Sequence, residues 1–127
     1  MTVADIVKIT NANILLGADQ QDKEFHSAFC SDLMSDVLAF VNEDTVLITG
    51  LMNPHVIRTS EMLDLRCILF VRGKQPSQEI LDAAQDMDLI VLSTGHSAFT
   101  ACGLLYQQGL RGIVIRGKEV SDGRLDS

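Results

Sequence analysis

The sequence is poor in the residues and segments that mark several large classes of protein. Its 127 residues include no tryptophan and only 5% aromatic residues, so the core must be mostly aliphatic. The ten lysines and arginines form no run and the net charge is −7, which argues against binding nucleic acid or anionic membranes. No apolar segment approaches the roughly 20 residues of a membrane helix, and the N-terminus does not resemble a signal peptide. We therefore expect a cytoplasmic protein that binds neither nucleic acid nor membranes.

Residues that hold metals are also scarce. The three cysteines, Cys30, Cys67 and Cys102, are far apart and odd in number, and each lies among apolar or small residues. This pattern predicts reduced thiols in the core rather than disulfides or zinc ligands. The three histidines share no ligand spacing, so no metal site is expected.

Two nucleotide-binding motifs are absent as well. A catalytic phosphate loop needs Gly-x-x-x-x-Gly-Lys-Ser/Thr and a dinucleotide fold needs Gly-x-Gly-x-x-Gly, and the chain contains neither. Gly50 ends an apolar run but is followed by Leu51, Met52 and Asn53, which supply no cation. We predict no catalytic residue and no cofactor.

What the chain does contain is a repeated apolar run that ends in glycine. The runs begin at residues 46, 68, 90 and 113 and cover residues 46–50, 68–73, 90–95 and 113–117. Continuous hydrophobicity of this kind is typical of strands buried on both faces of a parallel sheet. The spacing leaves room for one helix between successive strands.

Helical patterns fill these intervals. Three residues each predict a helix N-terminus: Asn53 (which precedes Pro54), Ser77 and Ser97. Gly109 predicts the end of the third helix. The expected buried positions are Val56, Ile57, Met62 and Leu63 in the first of these helices, Ile80, Leu81, Ala84 and Met87 in the second, and Phe99, Cys102, Leu105 and Tyr106 in the third.

The N-terminal part of the chain has a different pattern. It predicts a helix over residues 3–10, strands over 13–16 and 25–30, and a helix over 31–41 capped by Ser31. The fold class is α/β: a single layered domain, in two or three layers, with a mostly parallel central sheet of short strand–turn–helix units. We assign residues 1–117 to this domain and 118–127 to a polar tail.

Ligands of parallel α/β sheets bind beyond the carboxyl ends of the strands. Backbone N–H groups, hydroxyls and cations at that edge would suit an anion. In any such fold these are also turn and cap positions, so a purely structural role is the competing interpretation. The candidate ligand-binding residues there are Thr49, Gly50, Asn53, Arg72, Gly73, Ser93, Thr94, His96 and Ser97, beside Lys74 and Gly95.

Asp32 is a further candidate, in the doubled Ser-Asp stretch SDLMSD at residues 31–36. On a helix, Asp32 and Asp36 would share one face, where like charges repel. Because Asp32 would lie in the first helical turn, favoured by the helix dipole, capping is preferred over a metal or ligand site.

In order along the chain, CSDLMSDVLAF, LITGLMNPHVIRTSEMLDL, ILFVRGKQPSQEILDAAQD and LIVLSTGHSAFTACGLLYQQG resemble the DRTGG domain family. That domain is similar to the N-terminal region of HPr kinase/phosphorylase. The resemblance covers roughly residues 3–110 and does not include the kinase domain. The Asp-Arg-Thr-Gly-Gly string that gives the family its name is missing, because the corresponding segment reads Thr49-Gly50-Leu51-Met52. It implies a regulatory or assembly module, found beside kinases, phosphotransacetylases or adenine-nucleotide-binding CBS modules.

Two functions follow from these observations. The first is a non-catalytic regulatory or protein-interaction module. It would be a homodimer with a kinase or metabolic enzyme as partner, and would bind an adenine nucleotide or another small anion at the strand edge. The second is a small enzyme acting on a phosphorylated or carboxylated metabolite, for which Asp32, Arg72, Ser93 and His96 would have to surround one pocket.

Overall fold

The computed structural model describes residues 1–115 of the chain. The helices are α1 (Val3–Thr10), α2 (Met34–Phe40), α3 (Pro54–Leu63), α4 (Gln78–Asp86) and α5 (Ala98–Gln107), with a short 3-10 helix over Ala18–Gln20. The strands are β1 (Asn13–Leu16), β2 (Ser27–Cys30), β3 (Thr45–Thr49), β4 (Cys67–Phe70), β5 (Ile90–Ser93) and β6 (Arg111–Gly112). The predicted tail, residues 118–127, and the end of the predicted strand 113–117 lie outside the described residues.

The strands form one mixed sheet in the order β1-β5-β4-β3-β2-β6. Strand β1 pairs antiparallel with β5, and every other pairing is parallel. Every residue of β3, β4 and β5 is buried, as expected of parallel strands covered on both faces. The predicted α/β class with a mostly parallel sheet is confirmed.

Two helical layers cover the sheet, which settles the number of layers as three. One face packs against α1 and α5 through a cluster that includes Ile6, Ile48, Leu69 and Leu105. The other face packs against α2, α3 and α4 through a second cluster that includes Leu47, Phe70 and Val91. Successive residues of β3, β4 and β5 therefore contribute to opposite cores.

The predicted helix boundaries of the C-terminal half are confirmed. The side chains of Asn53, Ser77 and Ser97 accept hydrogen bonds from the first-turn backbone N–H groups of α3, α4 and α5. Gly109, with φ of 110°, follows the end of α5 in a conformation that favours glycine.

Four predictions of local structure are wrong. Helix α2 begins at Met34, because the Ser31 hydroxyl accepts from Leu33 N–H in a turn before the helix and does not cap it. Strand β2 begins at Ser27 rather than at residue 25. The last strand within residues 1–115 is Arg111–Gly112, which begins earlier than the predicted strand, and Val114 is 62% exposed. The expected buried side chains Met62, Phe99 and Tyr106 are exposed.

Candidate functional site

The carboxyl ends of β2, β3, β4 and β5 meet at one edge of the sheet because these strands are parallel. This edge, with the loops that follow the four strands, is called the rim here. Asp32 follows β2, Gly50 follows β3, Arg72 follows β4, and Thr94 and His96 follow β5. The rim therefore brings together residues that lie far apart in the sequence.

Asp32 joins the loop after β2 to the end of β3. Its Oδ1 accepts hydrogen bonds from Thr49 Oγ1 at 2.8 Å and from Gly50 N at 2.9 Å. The Gly50 N–H bond is the largest cause that lowers the pKa of the Asp32 carboxyl; the Thr49 hydroxyl and the positive charges of Arg72 and Lys74 lower it further, against partial burial. The sequence suggested that Asp32 caps α2. Instead, Asp32 accepts hydrogen bonds from two donors at the end of the neighbouring strand.

Arg72 lies over Gly50, and this close approach requires glycine. The Arg72 Nη2 donates to Gly50 O at 3.3 Å. A Cβ atom at position 50 would lie 2.9 Å from that Nη2 and 3.0 Å from Nε. Both Arg72 and Gly73 have positive φ, 67° and 69°, so the chain turns sharply as it leaves β4. Arg72 and Lys74 are exposed, so both cations face solvent at the rim.

The loops after β4 and β5 diverge and are joined by backbone hydrogen bonds. The loop after β4 leads to α4 on one face of the sheet, and the loop after β5 leads to α5 on the other. Such a divergence is the topological switch point at which open α/β sheets bind ligands. Here Arg72 N donates to His96 O at 2.8 Å and Gly73 N donates to Thr94 O at 2.9 Å, so backbone closes the floor of the crevice.

Several of the predicted binding groups already serve the fold. The Thr94 hydroxyl donates to Thr10 O at 2.7 Å, and the Ser93 hydroxyl donates to Lys74 O at 3.0 Å. Asn53 and Ser97 cap their helices by accepting from His55 N and Thr100 N. The competing structural interpretation therefore accounts for these four side chains and for the Thr49 hydroxyl.

His96 is half-buried beside this crevice, with its backbone N–H donating to Thr94 Oγ1 at 3.3 Å. The groups at the rim that can still contact a ligand include the guanidinium of Arg72, which has further N–H donors besides the one bonded to Gly50 O, the ammonium of Lys74 and the exposed backbone at Gly95. A Cβ atom at Gly95 would meet nothing within 4 Å, so the space above this residue is open.

The position of Ser93 does not favour the enzyme alternative. Asp32, Arg72, Ser93 and His96 do lie along the same rim, but Ser93 is 2% exposed and its hydroxyl is committed to Lys74 O. A nucleophile needs access to substrate and an adjacent base. The arrangement therefore does not favour catalysis.

A cavity that the sequence did not predict lies at the opposite edge of the sheet. It has a volume of about 670 Å³ and is lined by Met1, Asp5, Lys8, Ile9, Phe25, His26, Gln108, Gly109 and Leu110. These residues come from α1, the start of β2 and the end of α5, so no single stretch of sequence indicates the cavity.

Two further observations concern residues 1–115. Within this range no group of three or more His, Cys, Asp or Glu residues could hold a metal ion. No helix in the same range is both long and apolar enough to cross a membrane.

Comparison with known proteins gives a family and a fold. The model of the DRTGG domain matches residues 5–108. A similar solved structure contains the CBS and DRTGG domains of the regulatory region of Clostridium perfringens pyrophosphatase, complexed with the activator diadenosine tetraphosphate. The two chains are 20% identical in sequence, and their structures match with a TM-score of 0.68. The match covers 84% of this chain and 46% of the pyrophosphatase chain. None of the curated proteins compared with the chain matches it.

Proposed function

The chain belongs to the DRTGG domain family, and from this premise we propose that it is a non-catalytic regulatory module that binds a small anion at the rim. Its predicted location is the cytoplasm. The related pyrophosphatase region is complexed with a nucleotide activator, which makes adenine nucleotides the first ligands to test. The partner that such a module would regulate is a kinase or a metabolic enzyme.

The observation that carries the proposal is the pair of exposed cations beside the topological switch point. Arg72 and Lys74 lie at the crevice between β4 and β5, in a chain whose net charge is −7. Because acidic residues dominate elsewhere, two cations beside open backbone at Gly95 form a local site for negative charge. Asp32 balances part of that charge, so we expect moderate affinity, which suits a reversible signal.

Calorimetry against ATP, AMP, diadenosine tetraphosphate and inorganic pyrophosphate tests the binding. Removing the guanidinium with Arg72→Ala should weaken the affinity about 10-fold or more, as expected for a charge-assisted hydrogen bond of about 1.5–3 kcal/mol. Arg58→Ala is the matched control, because Arg58 is an exposed arginine on α3 and not on a loop of the rim. The proposal fails if no anion of this panel binds, or if both variants bind equally well.

Gly50→Ala separates the position of Arg72 from its charge. Gly50 does not have positive φ, so alanine suits its backbone, but the new methyl group would lie 2.9 Å from Nη2 and displace the guanidinium. We expect this variant to lose affinity although every charge is kept. Unchanged binding in Gly50→Ala, with loss in Arg72→Ala, would mean that only the charge matters.

The quaternary part of the proposal is a homodimer formed through the surface of α2. Leu33 just before this helix is 58% exposed, and Leu38 and Phe40 on it are 40% and 37% exposed. Burying such side chains at an isologous interface would remove apolar area from water.

Sedimentation at micromolar concentration tests the dimer. Leu38→Glu should produce the 13.9 kDa monomer, while Phe99→Glu on α5, also exposed, should leave the dimer intact. A wild-type protein that sediments as a monomer would overturn this part.

A further inference from the structure

Two of the three cysteines meet on the face of the sheet that α1 and α5 cover. Cys30 ends β2 and Cys102 lies in the middle of α5. Both side chains line a cavity of about 200 Å³, together with Ile48, Leu105 and Arg111 among others. The two side chains are close enough for each to influence the ionisation of the other. The prediction that all three cysteines lie in the core is wrong for Cys30, which is exposed, and holds for Cys67, which is buried.

The contact makes the two thiols chemically different. The hydrogen bond from Cys30 lowers the pKa of Cys102 to about 7, against the effect of burial. The same contact raises the pKa of Cys30, as do burial and the negative charge of Asp32. Near neutral pH, Cys102 is therefore the nucleophile and Cys30 the proton donor. Cys67 differs from both, since full burial raises its pKa to about 12.

Neither residue of the pair is fully buried. Cys30 is exposed and Cys102 is half-buried, whereas Cys67 is fully buried in the sheet. An accessible low-pKa thiol beside a second thiol is the arrangement found in reversible redox pairs.

We propose that Cys30 and Cys102 form a reversible intramolecular disulfide by exchange with a low-molecular-weight disulfide such as oxidised glutathione. The Cys102 thiolate attacks one sulfur of the small disulfide, which forms a mixed disulfide and releases one thiolate. Cys30 then loses its proton and attacks the Cys102 sulfur, which releases the second thiolate. The protein loses two electrons and two protons, and the small disulfide is reduced to two thiols.

The bond would link the carboxyl end of β2 to α5. Cys30 lies two residues before Asp32, and α5 begins next to Ser97 at the rim. Oxidation would therefore join β2, which ends at the rim, to the helix that follows the loop after β5. This inference does not depend on anion binding, and each can fail without the other.

Mass spectrometry of the intact full-length chain tests the disulfide. After equilibration with oxidised glutathione at pH 7, the protein should lose two hydrogen atoms in mass without a glutathione adduct, and its three thiols should fall to one. Trypsin places the three cysteines in three different peptides, 24–58, 67–72 and 75–111, so the first and last should be joined. Cys67→Ala is the control and should still form the bond.

A stable glutathione adduct, a bond to Cys67, a link between two chains or no change in mass would each overturn the proposal. Cys30→Ser and Cys102→Ser should each abolish the internal bond.

The rate of alkylation of Cys102 by iodoacetamide tests the proton donor separately. In the wild type the rate should be half-maximal near pH 7. In Cys30→Ser a hydroxyl can still donate to Cys102, so the midpoint should stay low. In Cys30→Ala no donor remains, and the midpoint should rise toward 9.0, the ordinary value for cysteine. A midpoint in Cys30→Ala equal to that of the wild type would show that Cys30 does not activate Cys102.

Discussion

Replacement of Asp32 should reveal how strongly one carboxylate secures the rim. Asp32→Ala removes the acceptor of Thr49 Oγ1 and Gly50 N. Thr49 and Gly50 are buried, whereas the carboxylate itself is mostly exposed, so water replaces part of what is lost. Two bonds at about 1 kcal/mol each after this discount predict a loss of about 2 kcal/mol in the free energy of unfolding.

Asp32→Asn is the matched control, because an amide oxygen can accept the same two hydrogen bonds without the charge. We expect it to cost about 0.5 kcal/mol, the difference between a charged and a neutral acceptor at an exposed position. Unfolding in urea, followed by far-ultraviolet circular dichroism because the chain has no tryptophan and one tyrosine, gives both values from the midpoints.

The advantage of a carboxylate over an amide at position 32 should depend on pH. The pKa of Asp32 is lowered in the folded protein, mainly by the Gly50 N–H. Its contribution is therefore complete above the unfolded value of about 3.9 and is lost as the pH falls through the folded value. The stabilities of wild type and Asp32→Asn should converge in acid. The reasoning is refuted if Asp32→Ala costs no more than Asp32→Asn at pH 7, or if the gap between wild type and Asp32→Asn does not change with pH.

Four further substitutions can be measured with the same unfolding assay. Gly17→Ala should cost about 2–4 kcal/mol, because φ is 92° and the new Cβ would lie 2.9 Å from Ile90 Cγ1. Gly109→Ala, with φ of 110° but open space, should cost only about 1 kcal/mol, and equal losses would contradict the steric explanation. Thr94→Val should cost about 1–3 kcal/mol by leaving the buried Thr10 carbonyl without its donor, and no loss would mean that water replaces it. Ser77→Ala should cost about 1 kcal/mol through the lost cap of α4, and an unchanged midpoint would refute that role.

Local signals in the sequence were sufficient for the central strands and their helices. The runs that became β3, β4 and β5 are apolar throughout because both faces of these strands are covered. Asn53, Ser77 and Ser97 identified helix starts because each cap is a contact between residues two or three positions apart.

Contacts between distant residues could not be predicted in the same way. Serine followed by aspartate is a common helix start, yet Asp32 bonds to residues 49 and 50 on a neighbouring strand. The approach of Arg72 to Gly50 and the contact of Cys30 with Cys102 also join separate elements. Phe99 and Tyr106 followed helical spacing, but α5 packs through Ala101 and Leu105 instead. Which residues of a helix face the sheet depends on where the helix lies.

The position of β6 has a consequence for how the chain folds. It pairs with β2, so that Ser27 lies opposite Arg111, which is far from it in the sequence. During synthesis on the ribosome, the outer edge of β2 therefore emerges long before β6 is made. Contacts between residues so far apart in sequence slow folding, and an open strand edge invites pairing with another chain. Newly synthesised molecules should therefore be most prone to aggregation just before residues 111–112 emerge, and a fragment that stops at residue 107 should remain so.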